Sequence, residues 1–137
     1  MISSDQESLR LAEAFIAAIN ERDVERLGEL MSEDHRFMDA AGISHSGREK
    51  MKMGWAQYFA AFPEYRIEVD TRVAADGVVA FFGWASGTAK DDPAPGRARS
   101  WRVSAAWKAA VRGGYVAEWQ VCCDVEPMLR SMGIDRW

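Results

Sequence analysis

The sequence predicts an α+β fold: a strongly curved antiparallel sheet shaped into a cone, with three helices from the N-terminal half packed on its concave face. Three observations carry this expectation. From Arg97 to Asp124 apolar residues recur at every second position, with Trp101, Val103, Ala105 and Trp107 before Gly113-Gly114 and Tyr115, Ala117, Trp119, Val121 and Cys123 after it. That is a long hairpin. The first 62 residues keep helical spacing instead, apart from one short extended piece. Finally, 137 residues suffice for one core without staples, so residues 1–137 are expected to form a single domain.

Taken in order, Ser4 and Glu7 have the spacing of a capping box, and Leu11, Phe15 and Ile19 follow on one face of a helix ending near Asn20. Asp23 is placed to cap a second, shorter helix through Val24, Leu27, Leu30 and Met31. His35, Phe37 and Asp39 alternate in a short extended segment that Ala40-Ala41-Gly42 stops. Ser46 and Glu49 form another capping box for a third helix, whose Met51, Trp55, Tyr58, Phe59 and Phe62 run until Pro63 ends it. Tyr65 to Val73 alternates as a strand with one wet face, and Asp76-Gly77 makes the turn. Val78 to Trp84 is apolar on both faces, as a central strand covered on both sides would be. Gly87 to Gly96 is the longest loop and is expected to be a mobile lid or rim. After Asp124 a short helical or irregular tail ends at Trp137, placed to dock on the domain or a partner.

Composition narrows the function classes. A net charge of −4 with scattered Lys and Arg argues against nucleic acid or an anionic membrane as partner. No apolar run approaches the roughly 20 residues of a membrane span, and the N-terminus lacks a signal-peptide layout. A cytoplasmic location is expected. The two cysteines, Cys122 and Cys123, are adjacent, so in a strand they point to opposite faces and do not pair. They suit reduced thiols. No metal ligand set accompanies them, and no metal or cofactor is expected.

The element order and the residues together resemble the nuclear transport factor 2-like superfamily, in its SnoaL-like and ketosteroid-isomerase-like branch. The resemblance rests on Asn20-Glu21-Arg22-Asp23 after the first helix, Phe37-Met38-Asp39 before Gly42, Ser46-Gly47-Arg48-Glu49 opening the third helix, and Val116 to Val121 with Asp124 and Glu126-Pro127. It implies a small-molecule pocket, a homodimer paired through the outer sheet face, and a cofactor-independent acid/base isomerase or cyclase acting on a small apolar carbonyl compound. The alternative within the same fold is a noncatalytic ligand-binding or protein-interaction domain. The steroid isomerases place a catalytic aspartate where Asp39 stands. Their two oxyanion donors have no counterpart, because Phe15 stands in the place of a tyrosine and Ala106 or a neighbour in the place of an aspartic acid. Steroid isomerisation is therefore not expected. The SnoaL-like cyclases use an acidic residue of the last strand, and Asp124 is similarly placed.

Each candidate has a bland reading beside the functional one. Asp39 is either a general base whose acidity desolvation weakens or the cap of its own turn. Asp124 is either an acid at the pocket mouth or a cap for the tail. His35 shares a strand face with Asp39 and is either its proton-transfer partner or a structural histidine. His45 falls in a loop beside Ser44 and has no such argument. Tyr58 either hydrogen-bonds a ligand oxygen or packs in the core beside Trp55. Of Trp55, Trp84, Trp101, Trp107 and Trp119, some are expected to line the cavity, and period two does not say which hairpin face looks inward.

Overall fold

A computed structural model of the chain describes residues 3–135. Helix α1 (Ser4–Asn20) starts at Ser3, one residue earlier than Ser4 and Glu7 suggest: the Ser3 hydroxyl accepts from the Gln6 amide and the Gln6 side chain accepts from the Ser3 amide. Gln closes a capping box as Glu does. Leu11, Phe15 and Ile19 are buried on its inner face, as their spacing predicts. Asn20 ends the helix with a two-pronged clamp on β3. Its Nδ2 donates to the Ile67 carbonyl at 3.0 Å and its Oδ1 accepts from the Ile67 amide at 2.8 Å. Asp23 caps helix α2 (Val24–Leu30) through the Arg26 amide.

Met31 leaves the helix and begins strand β1 (Met31–Met38), longer than the extended piece expected from His35. The turn from Asp39 to Ile43 leads into a strand the sequence did not reveal, β2 (Ser44–Ser46), antiparallel to β1 with Phe37 opposite His45. Ser46 therefore does not cap the next helix. Gly47 does, at φ 108°, where a side chain would be strained, and its amide is used by the His35 carbonyl. Helix α3 (Arg48–Ala61) then runs as predicted to just before Pro63.

Strands β3 (Arg66–Ala75), β4 (Val78–Thr88), β5 (Ser100–Arg112) and β6 (Tyr115–Cys123) form the meander, and helix α4 (Glu126–Ser131) follows. The sheet order is β2-β1-β6-β5-β4-β3. It is curved, as expected, and it is unclosed and mixed instead of purely antiparallel: β1 lies parallel to β6, with Phe37 beside Trp119. The sequence shows a strand at Phe37 but not its direction against β6, because that partner lies beyond β2, α3 and three more strands. Gly83 marks where β4 meets the irregularity in β3 between Val69 and Thr71; a Cβ there would stand 1.9 Å from the Glu68 carbonyl oxygen. Only glycine fits.

The core lies between the helices and the inner sheet face. Phe15, Leu27, Phe81 and Trp119 are fully or almost fully buried, and the Phe15 and Trp119 rings meet at 4.8 Å between centroids. Burying a side chain of this size stabilises by about 2–3 kcal/mol. The outer face of β4 carries Phe82, 48% exposed, and Trp84, whose ring lies under the Arg102 guanidinium at 4.0 Å. The loop from Ala89 to Arg99 is not a loose lid. Ala89 and Ala94 are buried, the Lys90 amide donates to the Ala61 carbonyl, and Arg97 bonds Asp135 at 2.6 Å. Trp137, expected to dock, lies outside the described residues. Among those described, no helix is long and apolar enough to cross a membrane.

Candidate active site

A cavity of about 340 Å³ opens between α3, the inner sheet face and α4. Its floor follows from the alternation of the hairpin: Trp119, Val121 and Cys123 of β6 and Trp101, Val103 and Trp107 of β5 point the same way. Met51, Trp55 and Tyr58, one helical face of α3, make the roof. Tyr65 and Ala85 bound the end under β3 and β4, while Val125 and Met128 close the other side. The tail after Asp124 walls the site, a part the sequence suggested for the 87–96 loop.

At the β1–β2 end stand Asp39 and His45. One Asp39 oxygen, Oδ1, accepts from the Ala41 amide at 2.9 Å and the Ile43 amide at 3.0 Å, so the turn reading of this residue is correct. The other, Oδ2, lies 3.0 Å from His45 Nε2. Both side chains are about one-third exposed, 31% and 36%, which puts the pair at the rim. Partial desolvation pushes the Asp39 carboxyl up, but the His45 bond and the Ile43 and Ala41 amides together hold it below the usual carboxylate value. The weakened acidity expected for a base is thus reversed. A carboxylate only accepts, so His45 Nε2 carries the proton toward Asp39, and in the neutral ring Nδ1 keeps its lone pair.

At the opposite end Tyr58 and Tyr65 stack edge to face with centroids 4.9 Å apart. Burial above all drives both phenols well above their ordinary value, so both are neutral O–H donors at any physiological pH. Burial likewise pushes up the Cys123 thiol on the cavity floor, with Asp124 and Cys122 adding to it. Cys122 faces outward, as strand alternation requires.

Of the residues singled out from sequence, Asp39, Asp124, Tyr58, Trp55, Trp101 and Trp119 meet around this one cavity. Asp124 is exposed at its mouth and accepts from the Glu126 amide at 3.0 Å. His35, Phe15 and Trp84 do not line it. His35 is on the predicted strand face but fully buried one step deeper, where Phe15 stacks on it at 5.8 Å and leaves no room for a ligand. Its Nδ1 donates to the Val116 carbonyl at 2.7 Å, and burial, outweighing that bond, lowers its proton affinity. Phe15 itself is core between His35 and Trp119. Trp84 faces outward because its neighbours Gly83 and Ala85 take the inner positions of β4. The residues the sequence undervalued are His45 and Tyr65. His45 was legible only through the β1–β2 pairing that sets it opposite Phe37, and Tyr65 read as an ordinary strand residue. Among the described residues no cluster of three or more His, Cys, Asp or Glu is arranged to hold a metal ion.

A sequence model of the SnoaL-like domain family matches residues 12–119. No curated protein matches the chain. Solved structures share the fold. A proposed polyketide cyclase from Xanthomonas campestris is 15% identical with a TM-score of 0.82, covering 95% of this chain and 99% of its own. IdmH, a proposed polyketide cyclase from Streptomyces antibioticus, is 23% identical with a TM-score of 0.75, covering 93% and 99%. A protein of Catenulispora acidiphila with a ketosteroid isomerase-like fold, solved in complex with trimethylamine, is 22% identical with a TM-score of 0.76, covering 90% and 92%.

Proposed function

The chain belongs to the SnoaL-like domain family, and from that membership we propose that it is a cofactor-independent acid/base enzyme of the isomerase or cyclase kind, acting on a small apolar carbonyl compound. The observation that carries the reading is the 3.0 Å contact between Asp39 Oδ2 and His45 Nε2 at the rim of an aromatic cavity. His45 Nδ1 takes the proton alpha to the substrate carbonyl. Asp39 fixes the ring tautomer and offsets the charge of the imidazolium that forms. Asp39 is thus a positioning residue and not itself the base. The Tyr58 hydroxyl, neutral and beside the cavity, is a donor for a ligand oxygen at the other end. Asp124, at the mouth, is placed to exchange protons with water. A second copy would cover the apolar outer face around Phe82 and Trp84, giving a homodimer.

One observation favours a second reading. The lowered carboxyl pKa of Asp39 and its two turn amides are what a ligand-binding domain without chemistry would also have. The test is deuterium uptake at C2 of 1-tetralone or 1-indanone in D2O, followed by NMR. Uptake faster than in buffer, and lost in His45→Ala, supports the enzyme. Binding of these ketones with no acceleration supports the binding domain.

A further inference from the structure

The joint between β1 and β6 is incomplete, and His35 sits in the gap. Met31 pairs with Val116 and the next pair is Arg36 with Glu118, so residues 32–35 of β1 face Ala117 alone. They bulge from the ladder, and a side chain does the joining there: His35 Nδ1 donates to the Val116 carbonyl at 2.7 Å. The backbone carbonyl of the same residue accepts from the Gly47 amide at 2.8 Å, where α3 starts. Phe15 of α1 covers the ring, with centroids 5.8 Å apart. One residue thus ties β6, α1 and the start of α3 to the strand that leads Phe37 and Asp39 into the cavity and holds His45 there through β2.

These contacts admit only the neutral ring. With Nδ1 donating, Nε2 carries the lone pair, and it is buried with no hydrogen-bond partner among the described residues. A second proton would place an N–H there with nothing to accept it, and a cation on a side chain that is 0% exposed. Ser32, in the same gap, does not supply the acceptor, since its hydroxyl is buried and lacks a partner too. The charged groups whose field reaches the ring are Asp34 on its own strand and Glu118 on β6, and both favour the proton. Glu118 is already paired with Arg36 and Arg112. From α1 the ring meets the apolar Phe15, and the start of α3 contributes the Gly47 amide. Burial outweighs the Val116 bond and both carboxylates, and holds the ring's affinity for protons below its ordinary value of 6.5.

We propose that neutral His35 is a positioning residue and an acid-sensitive latch: a proton on its ring detaches β1 from β6 and draws Asp39 and His45 away from the cavity, so the site is assembled at neutral pH and dismantled in acid. The latch operates whether the site catalyses or only binds. The detached ring takes its proton near the ordinary value of 6.5 and the seated ring only at lower pH, so the latch is firm above that value and weakens as pH falls below it. At its steepest the balance between closed and open forms shifts about tenfold per pH unit, the limit for one proton.

The test is amide hydrogen exchange read by NMR on the full chain from about pH 7.5 to about pH 5, corrected for the intrinsic exchange rate at each pH. The Gly47 amide and the amides of β1 should lose protection by up to about tenfold per pH unit below about 6.5, while amides between β4 and β5 keep theirs. His35→Asn retains a side-chain N–H near the place of Nδ1 but does not titrate, and should flatten the dependence. A second readout needs no variant: the chain has 2 histidines, so the ring nitrogens of each can be followed separately, and His35 in the closed form should stay an Nδ1–H tautomer at pH values where a free imidazole is charged. Asp39→Asn and His45→Ala, which address the acid/base reading, should leave the pH dependence in place, so failure of that reading and failure of the latch are distinguishable. A His35 ring that takes its proton near 6.5 with β1 still protected, a loss of protection uniform across the sheet, or an unchanged pH dependence in His35→Asn overturns the inference.

Discussion

Replacing Asp39 by Asn isolates what its two oxygens do. The new amide keeps an oxygen where Oδ1 stands, so it can still accept from the Ala41 and Ile43 amides at 2.9 and 3.0 Å and preserve the turn. In place of Oδ2 it presents an NH2 group, a donor, 3.0 Å from His45 Nε2. Nε2 must then accept, the ring proton moves to Nδ1, and the lone pair that faced the substrate is gone. The fold should hardly notice: one charge-assisted contact, about one-third exposed, becomes a neutral one, a loss of about 0.5–1 kcal/mol. Proton transfer should fall by about 10²–10⁴-fold, the range for removing a positioned acid/base group. The assay is C2 deuteration of 1-tetralone beside a urea melt of the same sample. Because Asp39 and His45 act as a unit, the double variant with His45→Ala should be no slower than the slower single variant. An Asp39→Asn protein that retains half of the wild-type exchange rate would refute the dyad.

Three further outcomes follow from other contacts. Asn20→Ala removes both prongs of the clamp on Ile67, whose side chain is 2% exposed, and should cost about 2–4 kcal/mol in denaturant unfolding, since it strands a buried amide and carbonyl; a loss under about 0.5 kcal/mol would mean water replaces them. Gly87→Ala places a Cβ 2.7 Å from Trp101 Cζ2, so the ring must shift over the cavity floor, and ketone binding should weaken several-fold with only modest loss of stability; unchanged binding would mean that Trp101 does not touch the ligand. In acid, the Asp39 carboxyl has a folded-state affinity for protons below its ordinary value of 3.8, so its stabilising contribution is complete above that value and disappears as pH falls through the lower one. The stability difference between wild type and Asp39→Asn should therefore shrink below about pH 4, as read by melts at matched ionic strength, and a difference that grows there would reverse the assigned sign.

Local pattern determined what depends on neighbours in the chain. The alternation through Trp101, Trp107, Trp119 and Cys123 determined that these side chains share a face, and helical spacing determined that Trp55 and Tyr58 share another. The Asx-type turn at Asp39 was legible for the same reason, as its partners Ala41 and Ile43 are two and four residues away. What only the tertiary structure decided involves contacts between distant segments. The parallel pairing of β1 with β6 joins Phe37 to Trp119, and no local period encodes strand direction across that separation. That pairing buries His35 under Phe15 and so removes from the cavity the histidine that periodicity favoured, while the short β2 hairpin brings His45 to Asp39 instead. Trp84 and Trp119 read alike in sequence, but register against β5 turns one out under Arg102 and the other in. Acidity was decided the same way. A carboxylate's pKa is set by which amides and which imidazole reach its two oxygens, and those distances exist only once the strands have paired.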